Sequence, residues 1–182
     1  MSENRLDPPE HAMKHATRSA LLVATGCLVA TTLGGCTPRQ TAVMGVGVDD
    51  DGSPVAYVVA CRDSIDTVAL TEPGKALLGE WGAPDPVTGT AAVRLRGGSP
   101  GWTVFSGGAP DLTPGVTYEL SGWEDSRDAV TAVEVEFTAE DLAALRPGDV
   151  RRRSGTDPAG DRRYVVETEK QFAENACAQL DS

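Results

Sequence analysis

Leu112-Thr113-Pro114-Gly115-Val116-Thr117-Tyr118-Glu119-Leu120 is the most informative run in the chain. Pro114-Gly115 punctuates it as a turn, and the residues that follow run on as a strand, continued by Trp123. Upstream, across residues 90–96, Ala91, Val93 and Leu95 oppose Ala92, Arg94 and Arg96. That period of two marks a half-buried strand. The Gly97-Gly98-Ser99-Pro100-Gly101 turn then predicts that residues 102–106 fold back as a hairpin. Downstream, residues 129–137 alternate again, with Val133, Val135 and Phe137 as the buried face. Thr138-Ala139-Glu140-Asp141 caps a short helix reaching about Leu145, and Pro147-Gly148 ends it.

Further out, residues 42–48 and 54–61 are strand-like and flank Asp49-Asp50-Asp51-Gly52-Ser53. This reads as a hairpin turn. The Asp triplet fails as a calcium loop of the EF-hand kind, because that loop needs a Glu eleven residues after its first ligand and position 60 is Ala. Residues 64–70 alternate as a third strand. Residues 71–89 carry Pro73, Gly74, Gly79, Gly82, Pro84, Pro86 and Gly89, a density that predicts irregular structure. Leu77, Leu78 and Trp81 are expected to pack down from it onto the sheets. As the longest irregular segment, it is the first place to seek a binding loop.

On the C-terminal side, residues 149–163 read as a polar loop with Arg151, Arg152, Arg153, Arg162 and Arg163. Two readings stand: contact with lipid phosphate or anionic wall polymer, or a solvated loop paired with Asp149, Asp157 and Asp161, which is the plainer. Residues 164–167 form a last strand. Thr168 to Gln171 fits a capping box, and Phe172, Ala176 and Leu180 make one apolar helical stripe with Cys177 beside it.

The 112–120 run resembles the corner before strand F of fibronectin type III and related immunoglobulin-like domains. In that family the tyrosine ring packs inside and its hydroxyl bonds back to the corner backbone. The resemblance implies that Tyr118 is the corner tyrosine, Leu112 its packing partner, and Pro114 and Gly115 the corner itself. The implied fold is all-β: an immunoglobulin-like antiparallel β-sandwich of seven or eight strands with a short C-terminal helix. Trp123 is then either a core aromatic or a ligand platform, the former being plainer.

The beginning of the chain reads differently. Lys14 and Arg18 lead into about 14 apolar residues, Ala20 to Leu33, fewer than the roughly twenty needed to cross a bilayer. A positive start, an apolar middle and small residues make a secretory signal. Leu33-Gly34-Gly35-Cys36 resembles the lipobox of bacterial lipoproteins. That resemblance implies a diacylglycerol thioether on Cys36, cleavage before it, and residence on the outer face of the cytoplasmic membrane. An ordinary secreted chain or an uncleaved membrane helix are the alternatives. Asp7, Pro8, Pro9 and Glu10 do not suit the start of such a signal, whereas Met13-Lys14-His15 does, so translation is read as beginning at Met13. The expected organisation is a signal over 1–35, a lipid-anchored tether over 36–41 and one domain over 42–182. Arg outnumbers Lys 13 to 3, which fits a GC-rich genome and a resemblance to actinobacterial lipoproteins.

Composition narrows the chemistry. The net charge of −11 argues against nucleic acid as a partner and against lying flat on anionic lipid. Both histidines, His11 and His15, lie in the leader, so the remainder can build no Ser-His-Asp or Cys-His relay. Of four cysteines, Cys27 leaves with the signal and Cys36 takes lipid. Cys61 and Cys177 remain, as one disulfide outside the membrane or as two free thiols. Lys75 and Lys170 lack the surroundings of a Ser-Lys dyad. No cofactor and no metal is implied. Carboxylate chemistry survives: a pair of Asp or Glu can cleave glycosides. Two functions are therefore expected. The first is a non-catalytic interaction module at the cell envelope, held to the membrane by its lipid, whose partner is an envelope protein or wall polymer. The alternative is a carboxylate hydrolase of wall glycans. An apolar surface patch would favour the first; an open groove with two carboxylates and an aromatic floor would favour the second.

Overall fold

A computed structural model describes residues 38–74, 77–125 and 130–181. The leader, Leu33, Gly34, Gly35, Cys36 and the proposed start at Met13 lie outside the described residues, as does Lys75. Strand β1 (Arg39–Val48) turns through residues 49–53 into β2 (Pro54–Thr71). Then come β3 (Leu77–Arg94), β4 (Thr103–Gly107), β5 (Tyr118–Trp123), β6 (Val130–Val133) and β7 (Val135–Phe137). Helix α1 (Ala139–Ala143) precedes the hairpin of β8 (Asp149–Thr156) and β9 (Arg162–Thr168). Helix α2 (Glu169–Asn175) continues into a 3-10 helix, Ala176–Asp181. The described chain is thus all-β with a short C-terminal helix, as expected.

The nine strands form one hydrogen-bonded sheet, ordered β4-β3-β2-β5-β6-β1-β8-β9, with β7 on β5. A further pairing of β1 with β2 closes a circuit through β2, β5, β6 and β1. Sequence patterning suggested antiparallel pairing and seven or eight strands. The β1–β6 ladder is parallel, and the ninth strand comes from the segment read as an arginine-rich loop.

Strand β1 sits at the centre because both of its faces can be buried. Thr41 through Val48 are all buried. Ala42, Met44, Val46 and Val48 face the main core, while Val43 faces a second cluster with Val55, Tyr57, Val59, Val133, Val150, Phe172 and Ala176. The second face is kept thin by glycine. A Cβ on Gly45 would lie 2.5 Å from Val150 Cγ1 and 3.2 Å from the Phe172 ring. Gly45, together with Gly47, where a Cβ would meet Asp149 O at 2.5 Å, lets β8 and α2 close over β1. β1 begins at Arg39, so residues 39–41 of the expected tether belong to the sheet.

Three further expectations change. Residues 64–70 are not a separate third strand. They continue β2, because β3 pairs with β2 on both sides of the irregularity at Cys61–Ser64 (Val55↔Arg94 through Ala60↔Gly89, then Thr67↔Gly82 onward). Residues 71–89 are mostly strand, not a loop. Pro84 and Pro86 fall where the β2–β3 ladder is broken and β4 has ended, so their missing N–H groups cost no ladder bond. Within that segment Trp81 is buried and Leu78 packs on the core, while Leu77 stays 42 % exposed. Residues 102–106 do not fold back on 90–96: β4 pairs with Gly79 to Gly82 at the other end of β3. Across β6 and β7, Val130 and Ala132 face the main core, Val133 the second cluster, and Val135 and Phe137 the main core again. The break at Glu134 shifts the phase of two by one residue, which flips Val133 to the far side.

At the corner, the Tyr118 hydroxyl accepts from the Thr113 N–H at 2.8 Å. The ring is buried and lies 5.9 Å from Phe137, with Leu112 packed on the same core. Gly115 has φ +74, where a Cβ would be strained, and its N–H donates to the Glu140 carboxylate at 3.1 Å. Hydrogen bonds from the Glu140 and Gly115 backbone N–H groups hold that carboxyl below its ordinary pKa. Replacing Tyr118 with Phe leaves the Thr113 N–H without its acceptor. We expect a loss of about 1–2 kcal/mol, read by urea unfolding at neutral pH, with the ring's packing retained.

Candidate functional site

The disulfide expected from cysteine count is present. Cys61 and Cys177 are bonded, with Cα atoms 5.5 Å apart, and they pack beside the second cluster with Leu180. Both C-terminal turns follow the expected stripe: Phe172 and Ala176 are buried and Leu180 is half-buried. The Thr168–Gln171 capping box is formed reciprocally. Of the corner residues, Tyr118 and Leu112 belong to the main core and Pro114 and Gly115 are exposed, whereas the sulfurs pack beside the second cluster, so the sequence-marked residues do not converge on one site.

The arginines converge instead, and on glutamates rather than on Asp149, Asp157 and Asp161. Arg153 meets Glu134 at 2.9 Å, and Arg162 bridges Glu134, Glu136 and Glu119. Arg151 pairs with Asp141 at 3.4 Å and lies 4.2 Å above the Tyr164 ring. Arg152 pairs with Glu167 and reaches Gln179 in the 3-10 helix. Burial works to lower the Arg162 pKa, but Glu136, Glu119 and Glu134 outweigh it, and the group sits higher than usual. Burial first, then its bond to Glu136, pushes the Tyr164 phenol up, so it remains a donor. This ladder fastens the β8–β9 hairpin to β5, to β7 and to Glu134 between β6 and β7. Its charges are spent on one another, which leaves Arg151, Arg152, Arg153 and Arg162 poorly placed to hold a phosphate.

Three hollows bear on the hydrolase alternative. The largest, about 660 Å³, runs between β8 and the C-terminal helix past Gln40, Arg152, Ser154, Asn175 and Gln179, and carries neither carboxylate nor aromatic ring. A second, about 480 Å³, lies between the β1–β2 turn, Leu112 and α1; it holds Asp51 and Asp111, the latter paired with Arg96, and no aromatic residue lines it. The third, about 170 Å³, does bring Glu136 and Asp141 beside Phe137 and Tyr164. There each carboxylate oxygen is already engaged. Glu136 takes Arg162 and the Tyr164 hydroxyl, and Asp141 takes Arg151 and the N-terminal cap of α1. A glycosidase needs one carboxyl to give a proton and another free to attack or to activate water, whereas both carboxylates here are bonded to neighbouring side chains or to the helix cap. Among the described residues no group of three or more His, Cys, Asp or Glu is placed to hold a metal ion. No helix among them is long and apolar enough to cross a membrane.

What remains is an apolar edge. β4 ends the sheet and pairs only with β3 among the described strands. All five of its residues are exposed, including Val104 at 43 % and Phe105 at 63 %. The register slips between Glu80 and Trp81, so Val104 and Phe105 form a bulge against one position of β3. The Phe105 ring lies over Gly82, where any Cβ would overlap it. Leu77 is exposed on the same end of β3. Sequence reading missed this site: residues 102–106 read as the second arm of a hairpin with 90–96, and only the pairing partner reveals which strand is last. Comparison with known protein families, with curated proteins and with solved structures finds no match.

Proposed function

We propose that this chain is a non-catalytic interaction module on an immunoglobulin-like β-sandwich, carried at the outer face of the cytoplasmic membrane by lipid on Cys36. Its partner is an extended segment of another envelope protein, which adds to β4 as a further strand. The supporting observation is the β4 edge: an open row of backbone donors and acceptors beside two large exposed apolar side chains. Strand addition uses such an edge, with main-chain bonds giving affinity and alternate side chains giving specificity. The Tyr118–Thr113 bond and the curled sheet support the immunoglobulin-like reading; the lipobox supports the location.

The test places a photoreactive amino acid at Phe105, and for comparison at exposed Ala159, in cells producing the full chain. A discrete adduct in the membrane fraction from position 105 alone is the expected result, with the crosslink mapping to an extended segment of the captured protein. Equal labelling from both positions, or none from 105, would overturn the reading. A Cys36→Ser chain that still partitioned with membranes would overturn the location.

A further inference from the structure

The opposite end of the sheet carries a different edge. β9, Arg162–Thr168, pairs with β8 alone among the described strands. It contains no Pro or Gly, and the one slip in its ladder falls on the β8 side, between Arg153 and Gly155. Edge strands are usually blunted by bulges, prolines, brevity or charge. β9 shows none of the first three, its charges are of both signs (Arg162, Arg163 and Glu167), and it exposes Val165 at 37 % and Val166 at 53 %.

We infer that β9 is the contact surface for a second copy of this chain, paired with its own β9 across a two-fold axis at Val165. The argument is one of register. Two identical antiparallel neighbours are related by an axis perpendicular to the sheet, and this brings residues of the same face opposite one another. With the axis at Val165, Arg163 of each copy faces Glu167 of the other, Tyr164 faces Val166, and Val165 faces itself. Shifting the axis to Tyr164 sets Arg163 against Val165. Shifting it to Val166 sets Glu167 against Val165. Of these three arrangements only the Val165 axis opposes unlike charges.

The side chains are prepared for it. Arg163 is exposed, and its neighbour across the β8 ladder is Gly155, which has no side chain to engage it. Glu167, 13 % exposed at its side chain, accepts from Arg152 at Oε1, while Oε2 accepts only a long bond from Asn175 at 3.5 Å, the oxygen left to a second cation. Helix α2 leaves β9 and packs its Phe172 over Val150 and Val43, on the interior side of β8, so the outer edge stays open. A seven-residue edge is smaller than a standard interface, and pairing should therefore depend on local concentration.

A cysteine on the axis tests the register. Directly opposed residues have Cα atoms about 4.5–5.5 Å apart, within disulfide range. In cells producing the full chain, Val165→Cys should yield a disulfide-linked dimer on non-reducing electrophoresis, at least tenfold above the parent. Val166→Cys should not, because its copies stand more than about 8 Å apart in this register. Adding Arg163→Glu to Val165→Cys should lower the dimer at least tenfold, and adding Arg163→Lys should preserve it. Absence of dimer from Val165→Cys, equal dimer from Val166→Cys, or indifference to Arg163→Glu would each overturn the proposal. None of these outcomes depends on what β4 binds.

Discussion

Replacing Phe172 with Ala is expected to cost about 3–5 kcal/mol, the range for emptying a buried phenylalanine site. The ring is fully buried and fills the space between α2 and the glycine face of β1. Its neighbours are Val43, Val55, Tyr57, Val59, Val133 and Val150. Most of them come from strands fixed by ladders on both sides, which limits their collapse into the cavity. The high end of the range is therefore the expected one. Urea unfolding followed by tryptophan fluorescence, with the disulfide intact, measures it. A loss below about 1 kcal/mol would mean that α2 does not cover β1 as described.

The second large effect belongs to the disulfide. Replacing Cys61 and Cys177 together by Ala removes a bond between residues 116 apart in sequence. A closure of that length accounts for roughly 2–5 kcal/mol, mainly by restricting the unfolded chain. The bond also ties the kink of β2 to the 3-10 helix, the segment that continues the helix bearing Phe172. The two losses should consequently not add. With the disulfide gone, α2 is free to leave, and Phe172→Ala should cost less than in the oxidised protein. Unfolding curves for the four members of this cycle give the coupling, expected at 0.5 kcal/mol or more on the scale typical of touching residues.

Some local elements were legible because local rules decide them. Thr168 with Gln171 forms its capping box as read, and Thr138, read as capping a short helix, forms one with Asp141, since such a box is built within four residues. The Asp49 turn holds for the same reason, its carboxylate accepting from the Asp51 and Ser53 N–H groups. The cysteine pairing followed from a count. Alternation at Val93 and Leu95 marked the buried side at the end of β3 and just past it correctly. Long-range elements escaped. Pro84 and Pro86 looked like strand breakers, yet they sit in a gap of the ladder that only the partner strand defines. Residues 54–61 and 64–70 read as two strands, and the stretch between them is an irregularity in one long strand. Arg153 and Arg162 looked solvated because Glu119, Glu134 and Glu136, which neutralise them, lie elsewhere in sequence.

The candidate sites divide in the same way. Val104, Phe105, Val165 and Val166 are ordinary strand residues by type, and nothing in their spacing separates an inner strand from a terminal one. Exposure of an apolar side chain is decided by which strand has no further neighbour, and that depends on the order of the whole sheet.

By itself the sequence determined what is encoded within a few residues or by composition: helix caps, tight turns, the all-β character, the paired cysteines, and the lack of histidine from residue 16 onward. Only the tertiary structure decided that β1 is buried on both faces, that β2 is one strand and not two, and that β4 and β9 are the open ends. The physical reason is that a strand's backbone bonds are satisfied by another strand. Its partner, its register and its exposed edge are thus properties of the assembled sheet, whereas a cap or turn satisfies its own.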